Sequence, residues 1–136
     1  MKTNRELEIL IVEDDLIISR LHKFSLKGAL KNDIKIVGNG REALSYLDDV
    51  AEEKQKILIL LDLNMPVMNG WDFLEACHTR PYANRLVVMV VTSSLFRHDN
   101  KRALDYPRVM GFYSKPLRKE HIPQILEHPE VAPLIS

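Results

Sequence analysis

The sequence holds a single cysteine, Cys77, which forbids an internal disulfide and suits a reducing compartment. In its helical surroundings that residue reads as small apolar packing. No apolar run approaches the ~18 residues that a membrane-spanning helix needs. The opening residues Met1 to Glu6 lack the apolar core and small-residue cleavage site of a signal peptide, so the cytoplasm is the expected compartment. An excess of charge of one sign is missing too: Lys plus Arg and Asp plus Glu number 19 each, and the formal net charge is zero. Such a chain has no bulk field drawing it to nucleic acid or an anionic membrane. Internal repeats, low-complexity tracts and linkers are absent. The five histidines, His22, His78, His98, His121 and His128, show neither zinc-ligand spacing nor a nucleophile partner, and are expected at the surface. Gly38-Asn39-Gly40 lacks the third glycine of a dinucleotide loop and is not read as one. The mildly basic run from Arg97 to Arg102 lacks interleaved aromatics, so it is expected to be a solvated helix start rather than a nucleic-acid patch.

What is present describes an α/β fold. With 136 residues, 46% hydrophobic and 28% charged, the chain has the size and composition of one globular domain. Aliphatic runs with β character recur at Ile9 to Val12, Ile57 to Leu61, Leu86 to Val91 and, more weakly, Val109 to Tyr113; Ile34 to Val37 makes a fifth. Helical spacing separates them. Ile17, Leu21, Phe24 and Gly28 share one face of a helix from about Leu16 to Leu30. Ala43, Leu44 and Leu47 mark a second helix from near Gly40, and Trp71, Leu74 and Cys77 a third after the Asn69-Gly70 turn, with Trp71 packed beneath it. A fourth spans about Asn100 to Tyr106 and is stopped by Pro107; a short last helix from about Ile122 to His128 is stopped by Pro129. Alternating strands and helices predict a parallel sheet with helices on both faces, and continuous aliphatic runs are what doubly covered strands require. The chain ends soon after the fifth strand, so a single domain over residues 1–136 without an output domain is expected.

The chemistry gathers at strand ends. Asp62 follows five aliphatic residues and precedes a turn built from Asn64, Pro66, Asn69 and Gly70. A carboxylate there is costly unless it sits at a cleft with partners, and open α/β sheets bind ligands at the carboxyl ends of their strands. The other strands end in Glu13-Asp14-Asp15, Thr92-Ser93-Ser94 and Ser114-Lys115-Pro116. If the strands are parallel, these groups share one rim with Asp62. Clustered carboxylates repel unless a cation intervenes, and hard oxygen donors suit Mg²⁺. A metal, an ammonium and a hydroxyl are the groups that phosphoryl transfer needs, with a carboxylate as nucleophile. Singly, each group has a plain reading. Glu13 and Asp14 could be a solvated helix start, Asp15 an N-cap, Thr92 a strand end, Lys115 a turn residue and Phe112 core.

Four stretches in order carry a resemblance: Ile9 to Asp15, Leu60 to Gly70, Val91-Thr92-Ser93, and Phe112-Tyr113-Ser114-Lys115-Pro116. Together they resemble the receiver domain of two-component response regulators, over nearly the whole chain and in the manner of stand-alone, chemotaxis-type receivers. The resemblance implies a flavodoxin-like five-stranded parallel sheet in the order 2-1-3-4-5. It implies Asp62 as phosphoacceptor and Asp14 as direct Mg²⁺ ligand, with Glu13 acting through water and Asn64 giving a backbone carbonyl. It further implies Thr92 and Lys115 as the groups that meet the phosphoryl, and Thr92 and Phe112 as the switch pair. The donor would be a histidine kinase or histidine phosphotransfer protein, and the receiver of the signal a further protein; nucleic acid and membrane are not expected partners, and the chain is expected to be a monomer or weak dimer. It would catalyse its own phosphorylation and dephosphorylation without being a turnover enzyme. Two departures from the pattern stand out: the proline-marked last helix, and Phe112 without the hydroxyl of the tyrosine common there. The side chains at Asn64 and Ser94, positions that tune phosphoryl lifetime in the family, are not acidic. A phosphohydrolase of the dehalogenase type is the alternative enzyme, but it wants a second aspartate where Asn64 stands. A receiver that binds partners without phosphorylation is the alternative binding module.

Overall fold

A computed structural model of the chain describes residues 6–93 and 97–136, with the backbone alone at Arg97. Met1 to Arg5, read above for targeting signals, and Ser94, read above for phosphoryl lifetime, lie outside the described residues. Five strands, β1 (Leu7–Val12), β2 (Ile34–Val37), β3 (Lys56–Leu61), β4 (Leu86–Thr92) and β5 (Val109–Ser114), alternate with five helices, α1 (Leu16–Lys27), α2 (Gly40–Val50), α3 (Gly70–His78), α4 (Arg97–Leu104) and α5 (His121–Leu126). The strands form one parallel sheet in the order β2-β1-β3-β4-β5, the expected flavodoxin-like arrangement.

The aliphatic runs become strands because both faces of the sheet are covered. Alternate side chains of β1 enter opposite cores: Leu10 and Val12 pack with Ala43, Leu47, Phe73, Leu74 and Ala103, while Ile9 and Ile11 pack with Leu26, Ile122, Ile125 and Val131. Thus α2, α3 and α4 lie on one face, and α1 and α5 on the other. Side-chain caps fix three helix starts. Asp15 Oδ1 accepts from the Ile17 and Ile18 amides at 2.9 and 3.0 Å, Asn39 Oδ1 from Glu42 N at 2.9 Å, and Asn69 Oδ1 from Asp72 N at 2.9 Å. Asp15 is therefore the N-cap, and Gly38-Asn39-Gly40 a cap segment rather than a phosphate loop.

Three helices differ from the sequence-based expectations. Helix α1 stops at Lys27, where the Gly28 and Leu30 amides turn back to the Phe24 and Leu26 carbonyls. The expected apolar face of α1 points outward: Ile17 and Phe24 are each 79% exposed and Leu21 43%, while Ser19, His22 and Leu26 face the sheet. Helix α4 ends at Leu104, earlier than Tyr106, because residues next to Pro107 are disfavoured in the α region and Tyr106 N instead closes a turn on Ala103 O. Helix α5 spans His121–Leu126, with Pro123 in the first turn, where no intrahelical donor is needed. His128 N closes a turn on Ile125 O at 3.3 Å, which ends the helix two residues short of the expected His128, and His128 Nδ1 then accepts from Glu130 N at 3.1 Å.

Beyond that turn the chain folds under the opposite edge of the sheet. Val131 is fully buried, and Glu130 Oε1 receives Lys56 Nζ at 2.8 Å and an Arg108 guanidinium nitrogen at 2.6 Å. Asn32 holds the final residues, donating to Leu7 O and Leu134 O and accepting from Ser136 N at 2.8 Å. Among the described residues no helix is long and apolar enough to cross a membrane.

In the loop between β3 and α3, Val67 has φ 69°, a left-handed conformation that costs a β-branched residue about 1–2 kcal/mol, and its side chain is 72% exposed. Val67→Asn should therefore stabilise the fold by about 1 kcal/mol, read as a higher urea midpoint. An unchanged or lower midpoint would contradict the strain.

Candidate functional site

The parallel register delivers the strand ends to one rim. Val12 pairs with Leu61, Leu61 with Val90, and Thr92 with Ser114. The ladder runs one step further along the rim, where Asp62 N donates to Val12 O at 3.0 Å and Lys115 N to Thr92 O at 3.0 Å. Asp62, one residue past β3, is 2% exposed, and Glu13, one past β1, is 3% exposed. Gly70 lets α3 start against this backbone. A Cβ there would lie 2.5 Å from the Asp62 carbonyl oxygen and 2.7 Å from Leu63 Cα, neither of which can yield without moving the site.

Lys115 Nζ lies 3.1 Å from each Glu13 oxygen and 3.2 Å from Asp62 Oδ2. The other Asp62 oxygen, Oδ1, accepts from the Thr92 hydroxyl at 3.2 Å and from Asn64 N at 3.3 Å. Glu13 Oε2 also accepts the Asp15 amide at 3.1 Å. Asp14 is exposed, yet one of its carboxylate oxygens falls with those of Glu13 and Asp62 in a set all within 4.8 Å of one another. The structure thus brings together Glu13, Asp14, Asp62, Thr92 and Lys115, with the exposed Asn64 at the loop beside them. Phe112 stands apart, half-buried against the α2–α4 core and paired in register with Val90.

The charges do not balance. Two buried carboxylates face one ammonium. Burial pushes the Glu13 carboxyl up to about 7; the Asp62 charge adds to the rise, and the Asp15 amide and Lys115 oppose it. Burial disfavours the charge on Lys115, but its hydrogen bond to Glu13 and the Asp62 and Glu13 charges outweigh burial and raise its pKa. A divalent cation among the Glu13, Asp14 and Asp62 oxygens would supply the missing charge, and an all-oxygen donor set fits a hard cation.

One residue near the site escaped the sequence reading. His22 was expected at the surface; it is 2% exposed, and its Nε2 accepts the buried Leu117 amide at 3.0 Å. Its place on the Ser19–His22–Leu26 stripe was the only signal available. His78 and His98 are exposed and His121 and His128 half-buried. Cys77 is a free, buried thiol, as expected. Trp71 is half-buried against the core that α3 covers, with the Arg102 guanidinium over its ring at 4.0 Å from the centroid.

Known proteins share this fold. The family model described as the response regulator receiver domain matches residues 9–127. Response regulator Rcp1 of Synechocystis sp. (strain ATCC 27184 / PCC 6803 / Kazusa) is 34% identical over 90 residues, covering 63% of this chain and 61% of its own length. A protein-glutamate methylesterase/protein-glutamine glutaminase of Treponema pallidum (strain Nichols) is 40% identical over 78 residues, or 55% of this chain and 18% of that protein. The alignments therefore span less than two thirds of either relative. A two-component response regulator from Cytophaga hutchinsonii superposes with a TM-score of 0.79 at 26% identity, over 89% of this chain and 94% of that one. The Mn(2+)-bound form of Rcp1 superposes with a TM-score of 0.70 at 27% identity, over 88% of each chain.

The raised Glu13 pKa has a defined sign. Between the ordinary value of 4.5 and about 7 the folded chain holds the Glu13 proton that the unfolded chain has released. Its contribution to stability is then full below the lower value and is lost as pH rises through the upper one. Measured in EDTA, the stability of wild type minus that of Glu13→Gln should fall steadily from about pH 5 to about pH 8. A flat difference would contradict the assigned environment.

Proposed function

The chain belongs to the response regulator receiver domain family, and from this premise we propose that Asp62 accepts a phosphoryl group from a histidine kinase or histidine phosphotransfer protein, in a Mg²⁺-dependent reaction. The observation that supports it most is the approach of Thr92 Oγ1 and Lys115 Nζ, each 3.2 Å from an oxygen of the buried Asp62 carboxylate. An Asp62 oxygen attacks phosphorus as the bond to the donor imidazole nitrogen breaks, and the electron pair stays on the ring. The product is an acyl phosphate on Asp62. Lys115 and Thr92 neutralise and hydrogen-bond the incoming oxygens. Asp14, Asp62 and the Asn64 carbonyl would hold Mg²⁺ directly and Glu13 through water; when bound, the ion neutralises charge on the transferring group. Because Glu13 and Asp62 already share one ammonium, the phosphoryl group competes for Lys115 and draws it from Glu13.

The switch follows from the same contacts. About two added negative charges recruit Thr92 and Lys115, and the Phe112 ring follows Thr92 inward. The change biases a two-state surface near α4 and β5, where a downstream protein reads it. The chain would act as a monomer or weak dimer in the reducing cytoplasm, and its phosphoryl group would turn over on the protein itself rather than on a released substrate.

A protein donor needs a landing surface beside the rim. Helix α1 starts there, and its outward face carries Leu16, Ile17, Leu21 and Phe24, all among the exposed large hydrophobic residues. We place the donor's docking face on this stripe, with its phosphohistidine reaching over the α1 N-terminus to Asp62.

Incubated with Mg²⁺ and acetyl phosphate, wild type should gain one phosphoryl adduct by mass and Asp62→Asn none. Equal adducts on both, or none on wild type, would reject Asp62 as acceptor. With the fastest donor from a panel of purified histidine kinases, Phe24→Asp should slow phosphotransfer about tenfold more than it slows labelling by acetyl phosphate. Equal slowing in the two reactions would move the donor surface off α1.

A further inference from the structure

We infer that His22 is a positioning residue for Lys115, holding from α1 the loop that aims the ammonium at Asp62. The inference rests on the phosphoacceptor reading above and names a residue outside the acidic rim. His22 sits in the middle of α1, on the stripe with Ser19 and Leu26 that faces the sheet, and its ring is 2% exposed. Its Nε2 accepts the Leu117 N–H at 3.0 Å across 95 residues of sequence. Leu117 is itself 7% exposed, so water cannot readily replace that acceptor.

Leu117 lies two residues beyond Lys115, past the cis Lys115–Pro116 bond. Lys115 is tied on its other side, where its own amide donates to Thr92 O at 3.0 Å. The short stretch bearing the ammonium is therefore pinned at both ends: upstream by the carbonyl of Thr92, whose hydroxyl touches Asp62, and downstream by the imidazole. Pro116, between the two pins, has no N–H to offer a third. A long, flexible lysine reaching three carboxylate oxygens at 3.1–3.2 Å needs a backbone base that does not wander. An accepting Nε2 means a neutral ring protonated at Nδ1. Burial, reinforced by the Lys115 charge, lowers His22 to about 4, so the ring stays an acceptor at neutral pH.

Two variants separate positioning from simple packing. His22→Leu fills the space without an acceptor, whereas His22→Gln can return an oxygen close to the place of Nε2. With Mg²⁺ and acetyl phosphate, His22→Leu should label Asp62 about tenfold more slowly than wild type, and His22→Gln should recover most of that loss. In a Lys115→Ala background the same leucine substitution should cost less than about twofold, because the group it positions is gone. Equal losses in both backgrounds, or no loss in either, would overturn the inference. A second readout needs no phosphoryl chemistry. In NMR spectra, His22→Leu should lose exchange protection at the Leu117 amide and shift the Lys115 Nζ resonance, and His22→Gln should keep both near wild type. A lost Leu117 signal with Lys115 Nζ unmoved would overturn the positioning role even where Asp62 labels normally. A wild type that keeps the Nζ coupling but takes no phosphate would instead reject the phosphoacceptor reading, and with it any role for His22 in the reaction.

Discussion

Two carboxylates, Asp62 and Glu13, lie buried around a single ammonium, and the structure is arranged about that shortage of positive charge. Either acid alone with Lys115 would make a neutral pair. Together they leave a negative remainder at a buried place, and the Glu13 pKa is raised there first by burial and then by the Asp62 charge. On the function proposed above, a site in this condition takes a cation and gives up its lysine when a doubly charged group arrives.

The fold's task is to maintain that imbalance. Parallel pairing of β1, β3, β4 and β5 carries the four strand ends to one edge, and close approach of α3 at Gly70 fixes the backbone of Asp62 itself. Helix α1 works on three sides: its cap residue Asp15 offers its amide to Glu13, its inward face reaches the Lys115 loop through His22, and its outward face is apolar and open. At the far edge, Glu130 and Asn32 tie the final residues to the strand starts with charges and amides rather than with a long last helix. The short α5 is thus compensated by the tail, and Val131 completes the core that a longer helix would have covered.

Much of this was written locally in the sequence. Continuous aliphatic runs can only be satisfied by a sheet covered on both faces, so the strands and their order of appearance were legible. Asp15, Asn39 and Asn69 precede helical spacing and became caps for the reason that short polar side chains do. The meeting of Glu13, Asp14, Asp62, Thr92 and Lys115 was legible because each ends a run of the same type. What could not be read depended on distant partners. The apolar stripe of α1 has the spacing of a core face, and periodicity does not say whether the partner is this chain's sheet or another protein. His22 is one lone histidine, and its acceptor role is set by a backbone N–H 95 residues away. The ends of α4 and α5 were decided by turns around Pro107 and Pro129, which fix where a helix must stop but not how early.

The most direct test is a crystal structure of the chain grown with Mg²⁺ and beryllium trifluoride, a stand-in for the phosphoryl group. The account predicts the trifluoride on an Asp62 oxygen, a metal between Asp14, Asp62 and the Asn64 carbonyl, and Lys115 and Thr92 turned onto the fluorines with Glu13 released from the ammonium. Lys115 still on Glu13, with the trifluoride elsewhere or absent, would contradict it.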